Sequence, residues 1–166
     1  MAVQIKTVTT KSELKTFVRF ANKMYKGNKY YVPSMPMDDL ETFDRNKNAA
    51  FEFSEAEFYL AYKDGKPVGR VAAIVNNKAN QAWSVKQVRF GWFDFIDDLE
   101  VSKALLDAVI AFGKSKGMNQ IAGPLGFTDF DPEGMLVDGF DRICTMALFH
   151  NHPYYPEHMK KHGYVK

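Results

Sequence analysis

One stretch of the chain changes its hydrophobic period without a break, and that constrains the fold more than any other feature. VRFGWFDFI, from Val88 to Ile96, is apolar at nearly every position and rich in aromatics. This is the pattern of a strand buried on both faces, and so of a central strand. Farther on, Val101, Leu105, Ala108, Val109 and Phe112 recur at helical spacing, while Lys103, Asp107 and Lys114 fall elsewhere; this predicts an amphipathic helix. Asp97 stands where an N-cap belongs, with Glu100 at N3, Ile96 as a staple onto Val101 and Gly117 as the left-handed stop. A strand that turns directly into a capped helix points to an α/β fold. The mouth of such a turn is the usual seat of an anionic ligand.

The flanking sequence fills in the other elements. Val3 to Val8 reads as a short strand, and Thr10 with Glu13 makes a capping box for a helix whose apolar stripe is Leu14, Phe17, Val18, Ala21 and Met24 or Tyr25, ending near Gly27 and Asn28. Pro33 and Pro36 argue against regular structure in YYVPSMPMDD; its tyrosines and methionines either line a ligand groove or pack across the edge of the core. A short helix is expected around Asp39 to Arg45 and a loop through NKNAAFEFSEAE. Phe58 to Tyr62 and Val68 to Val75 flank Lys63-Asp64-Gly65-Lys66, where Asp-Gly predicts a tight hairpin, with Gly69 marking a bulge. Asn76 to Trp83 reads as a polar connection. After the long helix, Gln120 to Gly123 is a short strand halted by Pro124, and LGFTDFDPEGMLVDGFD is a long loop with apolar anchors such as Phe127, Phe130 and Phe140. Ile143 to Phe149 fits either strand or helix, and Pro153 to His162 is a helix closed by Gly163.

Composition excludes several function classes. The 166 residues, 46% hydrophobic with 14 Phe and 8 Tyr, suffice for one domain with a sizeable core. A net charge of +2, with no basic run longer than Lys160-Lys161, offers no footprint for nucleic acid. MAVQIKTVTT lacks the apolar run of a signal peptide, and no window approaches the roughly 20 apolar residues of a membrane span, so a cytoplasmic protein without a membrane partner is expected. Cys144, the only cysteine, excludes an internal disulfide and reads as a small buried hydrophobe or as a nucleophile. His150, His152, His158 and His162 cluster near the end, the last two on one helix face, but without a His-Glu-x-x-His pattern no metal is expected.

The order β-α-(α)-β-β-β-α-β-α, together with DGKPVGRVAAIVN at Asp64 to Asn76, FGWFDFIDDLEVSKALLDA at Phe90 to Ala108, GMLVDGFD at Gly134 to Asp141 and HPYYPEHMKKHGY at His152 to Tyr164, resembles the GNAT (general N-acetyltransferase) superfamily, and more closely a bacterial GNAT-like group of unassigned substrate. These segments cover most of the chain from Phe58 onward. The resemblance implies an α/β, GNAT-like acyl-CoA N-acyltransferase fold over residues 1–166, a twisted mixed sheet flanked by helices. It also implies a small amine as substrate and acetyl-CoA or another acyl-CoA as cofactor.

In the family, a Gln/Arg-x-x-Gly-x-Gly/Ala loop holds the pyrophosphate. The matching Ile96 to Val101 has no glycine and three acids, Asp97, Asp98 and Glu100. Like charges about 4 Å apart repel by roughly 4 kcal/mol at an effective dielectric near 20, so these acids either border the cofactor or only cap the helix. The resemblance places Phe93, Phe95, Ile96, Asp97 and Asp98 along the cofactor. It makes Asp94 the general base, the alternative being that Asp94 points to the sheet edge or bonds a backbone amide. Met159 stands where many members carry the catalytic tyrosine, leaving Tyr154 or Tyr155 as acid. A GNAT-derived binding or assembly module that has lost the cofactor is the other functional reading. The family's sheet gains strands after the pair matched by Gly163-Tyr164, whereas this sequence stops at Lys166, so either Ile143 to Phe149 supplies a strand or the sheet edge is left open, and a homo-oligomer is expected.

Overall fold

The computed structural model of the protein describes residues 2–144 and 148–166. Its sheet has five strands in the order of the chain: β1 Gln4–Thr7, β2 Ser54–Lys63, β3 Lys66–Asn76, β4 Gln87–Phe95 and β5 Gln120–Ala122. The first four run antiparallel to their neighbours, and β5 pairs parallel to β4 from Gln87 to Arg89, so the sheet is mixed. The helices are α1 Lys11–Met24, α2 Pro36–Thr42, α3 Asn77–Ala82, α4 Leu99–Ser115 and α5 Tyr154–Lys161, with a single 3-10 turn at Ala49–Glu52.

The sheet buries both faces. On one, Val101, Leu105, Val109 and Phe112 of α4 meet Val71, Ala73, Val75, Phe90, Phe93 and Phe95. On the other, Phe17 and Val18 of α1 meet Phe58, Leu60, Ala72, Ile74 and Trp92. The hairpin between β2 and β3 turns on Asp64 and Gly65, both at positive φ (54° and 72°), the geometry that Asp-Gly supplies. Around Gly69 the β2–β3 register does shift, with Ala61 facing Gly69 and Tyr62 facing Pro67.

A second register shift decides where the chemistry goes. Arg70 pairs with Asp94 but Ala72 pairs with Gly91, so Trp92 and Phe93 together face a single residue of β3. Trp92 takes φ 44°, a conformation in which an aromatic residue is strained. Such a bulge reverses the in-out alternation. Phe90 faces α4, and without the bulge Asp94 would share that face; with it, Trp92 and Asp94 turn toward α1 while Phe93 and Phe95 face α4.

Several expectations are corrected. β4 lies between β3 and the edge strand β5, so the central strand is β3. Pro36 does not exclude a helix but opens α2 at its first position, where its missing N–H costs nothing. Asn76 to Trp83 is not an irregular connection: the Asn76 side chain accepts from Ala79 N–H at 2.9 Å and starts α3. The segment read as loop before Phe58 holds the 3-10 turn and the first residues of β2. Cys144 is partly exposed rather than buried. The proposed element over Ile143 to Phe149 falls partly on residues 145–147, outside the described residues; Leu148 makes an isolated parallel bridge with Glu133.

The N-cap is also one residue later than read. The Asp98 carboxylate accepts from Glu100 N–H at 2.9 Å and pairs with Lys63 at 2.7 Å, whereas Asp97 reaches His158 Nε2 at 3.0 Å. Asp98→Ala is therefore expected to lower stability by about 1 kcal/mol through loss of the cap. Asp97→Ala should leave the start of α4 intact, so equal melting losses for the two variants would place the cap elsewhere.

Candidate functional site

Asp94 sits on β4 opposite Arg70 of β3, and both are almost fully buried. The Arg70 guanidinium holds Asp94 Oδ2 at two points, from Nε and from its terminal nitrogen, each at 2.8 Å. Its other terminal nitrogen donates to the carbonyls of Phe17 and Val18 in α1 at 2.9 and 3.2 Å. Asp94 Oδ1 faces the Tyr155 hydroxyl at 3.5 Å. Tyr155 in turn accepts from Tyr25 O–H at 3.0 Å and from Phe95 N–H at 3.1 Å, which leaves its own proton for Asp94. Burial pushes both Tyr25 and Tyr155 well above the usual phenol pKa. Tyr154 donates to the Phe95 carbonyl at 2.6 Å, and burial pushes it up too.

Asp94 and Arg70 form part of the wall of a cavity of about 270 Å³ between β4, the start of α2 and the long loop after β5. Asp39 and Asp131 also line it, and burial raises both carboxyls from their ordinary value. The lining thus holds three carboxylates and a single guanidinium. Tyr31 and His150 close one side; burial pushes Tyr31 up to about 12. Val32, Phe130 and Leu148 also line the cavity yet are 62%, 97% and 54% exposed, which makes them its outer rim. Cys144 lines it as well, and burial raises its pKa, so it stays a thiol.

The residues read as bordering a cofactor are each engaged within the protein. The Phe93 ring lies between Phe90 and Phe95 at 5.4 and 4.6 Å, and Phe95 stacks on Tyr155 at 4.2 Å. Ile96 N–H donates to the Val68 carbonyl at 3.0 Å. Asp97 and Asp98 hold His158 and the start of α4. The four histidines fall into two pairs. His150 and His152 pack on Tyr25, while His158 and His162 converge on Ser102 at 2.9 and 2.8 Å. They are not a solvated surface cluster, since His150 and His158 are buried. Among the described residues no three His, Cys, Asp or Glu side chains are arranged to hold a metal ion.

Sequence reasoning singled out Asp94, Tyr154 and Tyr155, which the structure brings to one end of β4. It missed Arg70, Tyr25, Asp39 and Asp131, and it read His150 only as one of a cluster of four histidines. Arg70 carried a signal: it is the one charge inside the apolar run Val68 to Val75, as Asp94 is inside Phe90 to Ile96.

No protein-family model matches the chain. It is 29% identical over 162 residues to protein YghO of Escherichia coli (strain K12), covering 98% of this chain and 41% of that protein. With the bacterial ceramide synthase of Caulobacter vibrioides (strain NA1000 / CB15N) it shares 24% over 160 residues, 96% of this chain and 42% of that one. The chain thus spans about two fifths of the length of the curated relatives it matches. Among solved structures, an acetyltransferase of the GNAT family from Staphylococcus aureus Mu50 superposes with a TM-score of 0.50 at 20% identity, over 72% of this chain and 71% of that one. A predicted acetyltransferase from Clostridium acetobutylicum, crystallised with acetyl-CoA, gives 0.56 at 10% identity, over 99% and 90%. No helix of the described residues is long and apolar enough to cross a membrane. The mixed sheet, the helices on its two faces and these likenesses together show that the fold of this chain is that of the GNAT superfamily of N-acyltransferases.

Proposed function

We propose that the chain serves an N-acyltransferase reaction in which a small amine on an apolar stem is held in the Asp94 cavity. The observation that carries this reading is the cavity's charge: three carboxylates against one guanidinium, in a largely desolvated site, favour a cation. An ammonium among Asp39, Asp94 and Asp131 would offset the cost of burying those acids. Its stem would leave past Val32, Phe130 and Leu148. Before the nitrogen can attack an acyl carbon it must lose a proton, and Asp94 Oδ1, the oxygen not held by Arg70, is the acceptor. Tyr155 keeps that oxygen in place, and Tyr154 and Tyr155 together saturate the Phe95 backbone. The likeness to a bacterial ceramide synthase supports an acyltransferase reading with a partly apolar acceptor.

The acyl donor is less well served. The turn into α4 does not suit the pyrophosphate of an acyl-CoA, because Glu100 N–H is already taken by Asp98 and two further acids lie beside it. The Phe95 backbone groups, which would have met the pantetheine arm, are bonded to the two tyrosines. These contacts favour the second reading, a binding module without catalysis. A saturating ligand at about 100 times its dissociation constant adds roughly 2.7 kcal/mol, or about 5 to 10 °C in a domain of this size. Acetyl-CoA at millimolar concentration is expected to raise the melting temperature by less than that. Replacing Asp98 and Glu100 together by glycine should enlarge the response.

The two readings separate on octylamine. The acyltransferase reading expects N-acetyloctylamine, detected by mass spectrometry, when octylamine and millimolar acetyl-CoA are supplied, and a loss of at least about 100-fold in Asp94→Asn. Octylamine binding without product would favour the module. In either case its affinity should fall as pH is lowered through the raised pKa values of Asp39 and Asp131, by about tenfold per pH unit for each carboxylate that must lose a proton.

A further inference from the structure

We infer that Asp97, His158, Ser102 and His162 form an acid-sensitive latch, which holds α5 against α4 and loosens it when both histidines carry charge. What α5 itself holds makes the release matter: Tyr154 and Tyr155 in its first turn occupy the Phe95 carbonyl and N–H, and Tyr155 faces Asp94 Oδ1. The inference stands whatever ligand the cavity takes.

The latch is one chain of hydrogen bonds. Asp97 Oδ1 lies 3.0 Å from His158 Nε2, and Ser102 Oγ lies 2.9 Å from His158 Nδ1, 2.8 Å from His162 Nε2 and 3.2 Å from the Leu99 carbonyl. A carboxylate only accepts, so His158 Nε2 carries a proton. In the neutral ring Nδ1 is then an acceptor that takes the Ser102 hydroxyl proton, and His162 Nε2–H must donate to Ser102 Oγ. Charging His158 keeps every group satisfied: Nδ1–H donates to Oγ, the hydroxyl turns to the Leu99 carbonyl and Asp97 supplies the counter-charge. The order of groups is that of a hydrolytic triad, but Ser102 is fully buried and serves as a relay rather than a nucleophile.

A second proton finds no such accommodation. On His162 it sets two imidazolium rings 6.3 Å apart, and Asp97 pairs with His158 alone. Lys103 of α4 adds to the repulsion, while Asp107 opposes it; burial, His158 and Lys103 together hold His162 below the usual imidazole range. A base whose folded-state pKa is lowered costs nothing above its ordinary value near 6.5 and weakens the contact as pH falls below it. Tyr154 also packs on the His158 ring, at 5.4 Å, and burial keeps its phenol protonated throughout that range.

Hydrogen exchange of the Phe95 amide, which donates to the Tyr155 hydroxyl oxygen, reads the latch directly. Its protection, corrected for the intrinsic rate and referred to the amides at the centre of β3, should fall about fivefold between about pH 7.5 and pH 5.5, the worth of one partly exposed charge contact. His162→Gln, whose Nε2–H can still donate to Ser102 but which takes up no proton, should keep the protection at the higher pH and lose its acid dependence. Asp97→Asn, which leaves a charged His158 without its counter-ion, should deepen the acid loss by about a further fivefold. Should His162→Gln fail to fold, Asp97→Asn decides in its place: an acid loss no deeper than the parent's would overturn the latch. Protection that does not change with pH in the parent would overturn it as well. So would an acid loss that persists in His162→Gln, since the sensitivity would then belong to His150 and His152, which pack on Tyr25.

Discussion

Arg70→Met should cost about 3–5 kcal/mol, the largest loss expected of any single substitution at the site. The guanidinium is the partner of a buried carboxylate, and removing it leaves Asp94 charged, desolvated and unpaired. It also strips the Phe17 and Val18 carbonyls of a donor that ties β3 to α1. The deficit should shrink at acid pH, where an orphaned buried carboxyl takes up a proton. Adding Asp94→Leu to Arg70→Met should recover much of the loss, because two apolar groups of similar size replace the pair. Chemical denaturation of the two variants at pH 7 and pH 4.5 measures this directly. A single variant as stable as the parent at pH 7 would mean that water reaches Asp94 and that the pair is not buried in solution.

Tyr155→Phe is expected to be the next most costly change, at about 2–5 kcal/mol, although it removes only one atom from a packed ring. That oxygen accepts from both Tyr25 O–H and Phe95 N–H, so two buried donors lose their partner together, each worth about 1–3 kcal/mol. Tyr154→Phe removes a donor from the Phe95 carbonyl alone and should cost only about 1 kcal/mol. The contrast between adjacent tyrosines is the informative quantity. Equal losses would contradict the network as drawn.

The period-based elements were legible because each rests on local physics. The Thr10 capping box, the Asp64-Gly65 turn and the Gly117 and Gly163 stops lie where their residue chemistry requires. The stripe from Val101 to Phe112 faces the core. What could not be read depended on pairing across the sheet. Nothing local in VRFGWFDFI announces that Trp92 takes a left-handed conformation, yet that bulge puts Asp94 on the α1 side, where Arg70 waits. The N-cap was misplaced by one residue because Asp97 and Asp98 are chemically alike, and the choice between them is made by Lys63 and His158, 34 or more positions away in the chain. Asp39, Asp131 and His150 were illegible as a site for the same reason: α2 and two distant stretches of the long segment between β5 and α5 bring them together.

A crystal structure of the chain with octylamine tests the central claim most directly, since it asks whether a cation on an apolar stem goes where the charge and the rim direct it. The nitrogen should lie about 2.7–3.2 Å from a carboxylate oxygen of Asp94 or Asp39, with the stem passing Val32 and Phe130. An amine seated instead in the apolar cavity of about 470 Å³ between Gly123 and Tyr164, with none beside Asp94, would contradict it.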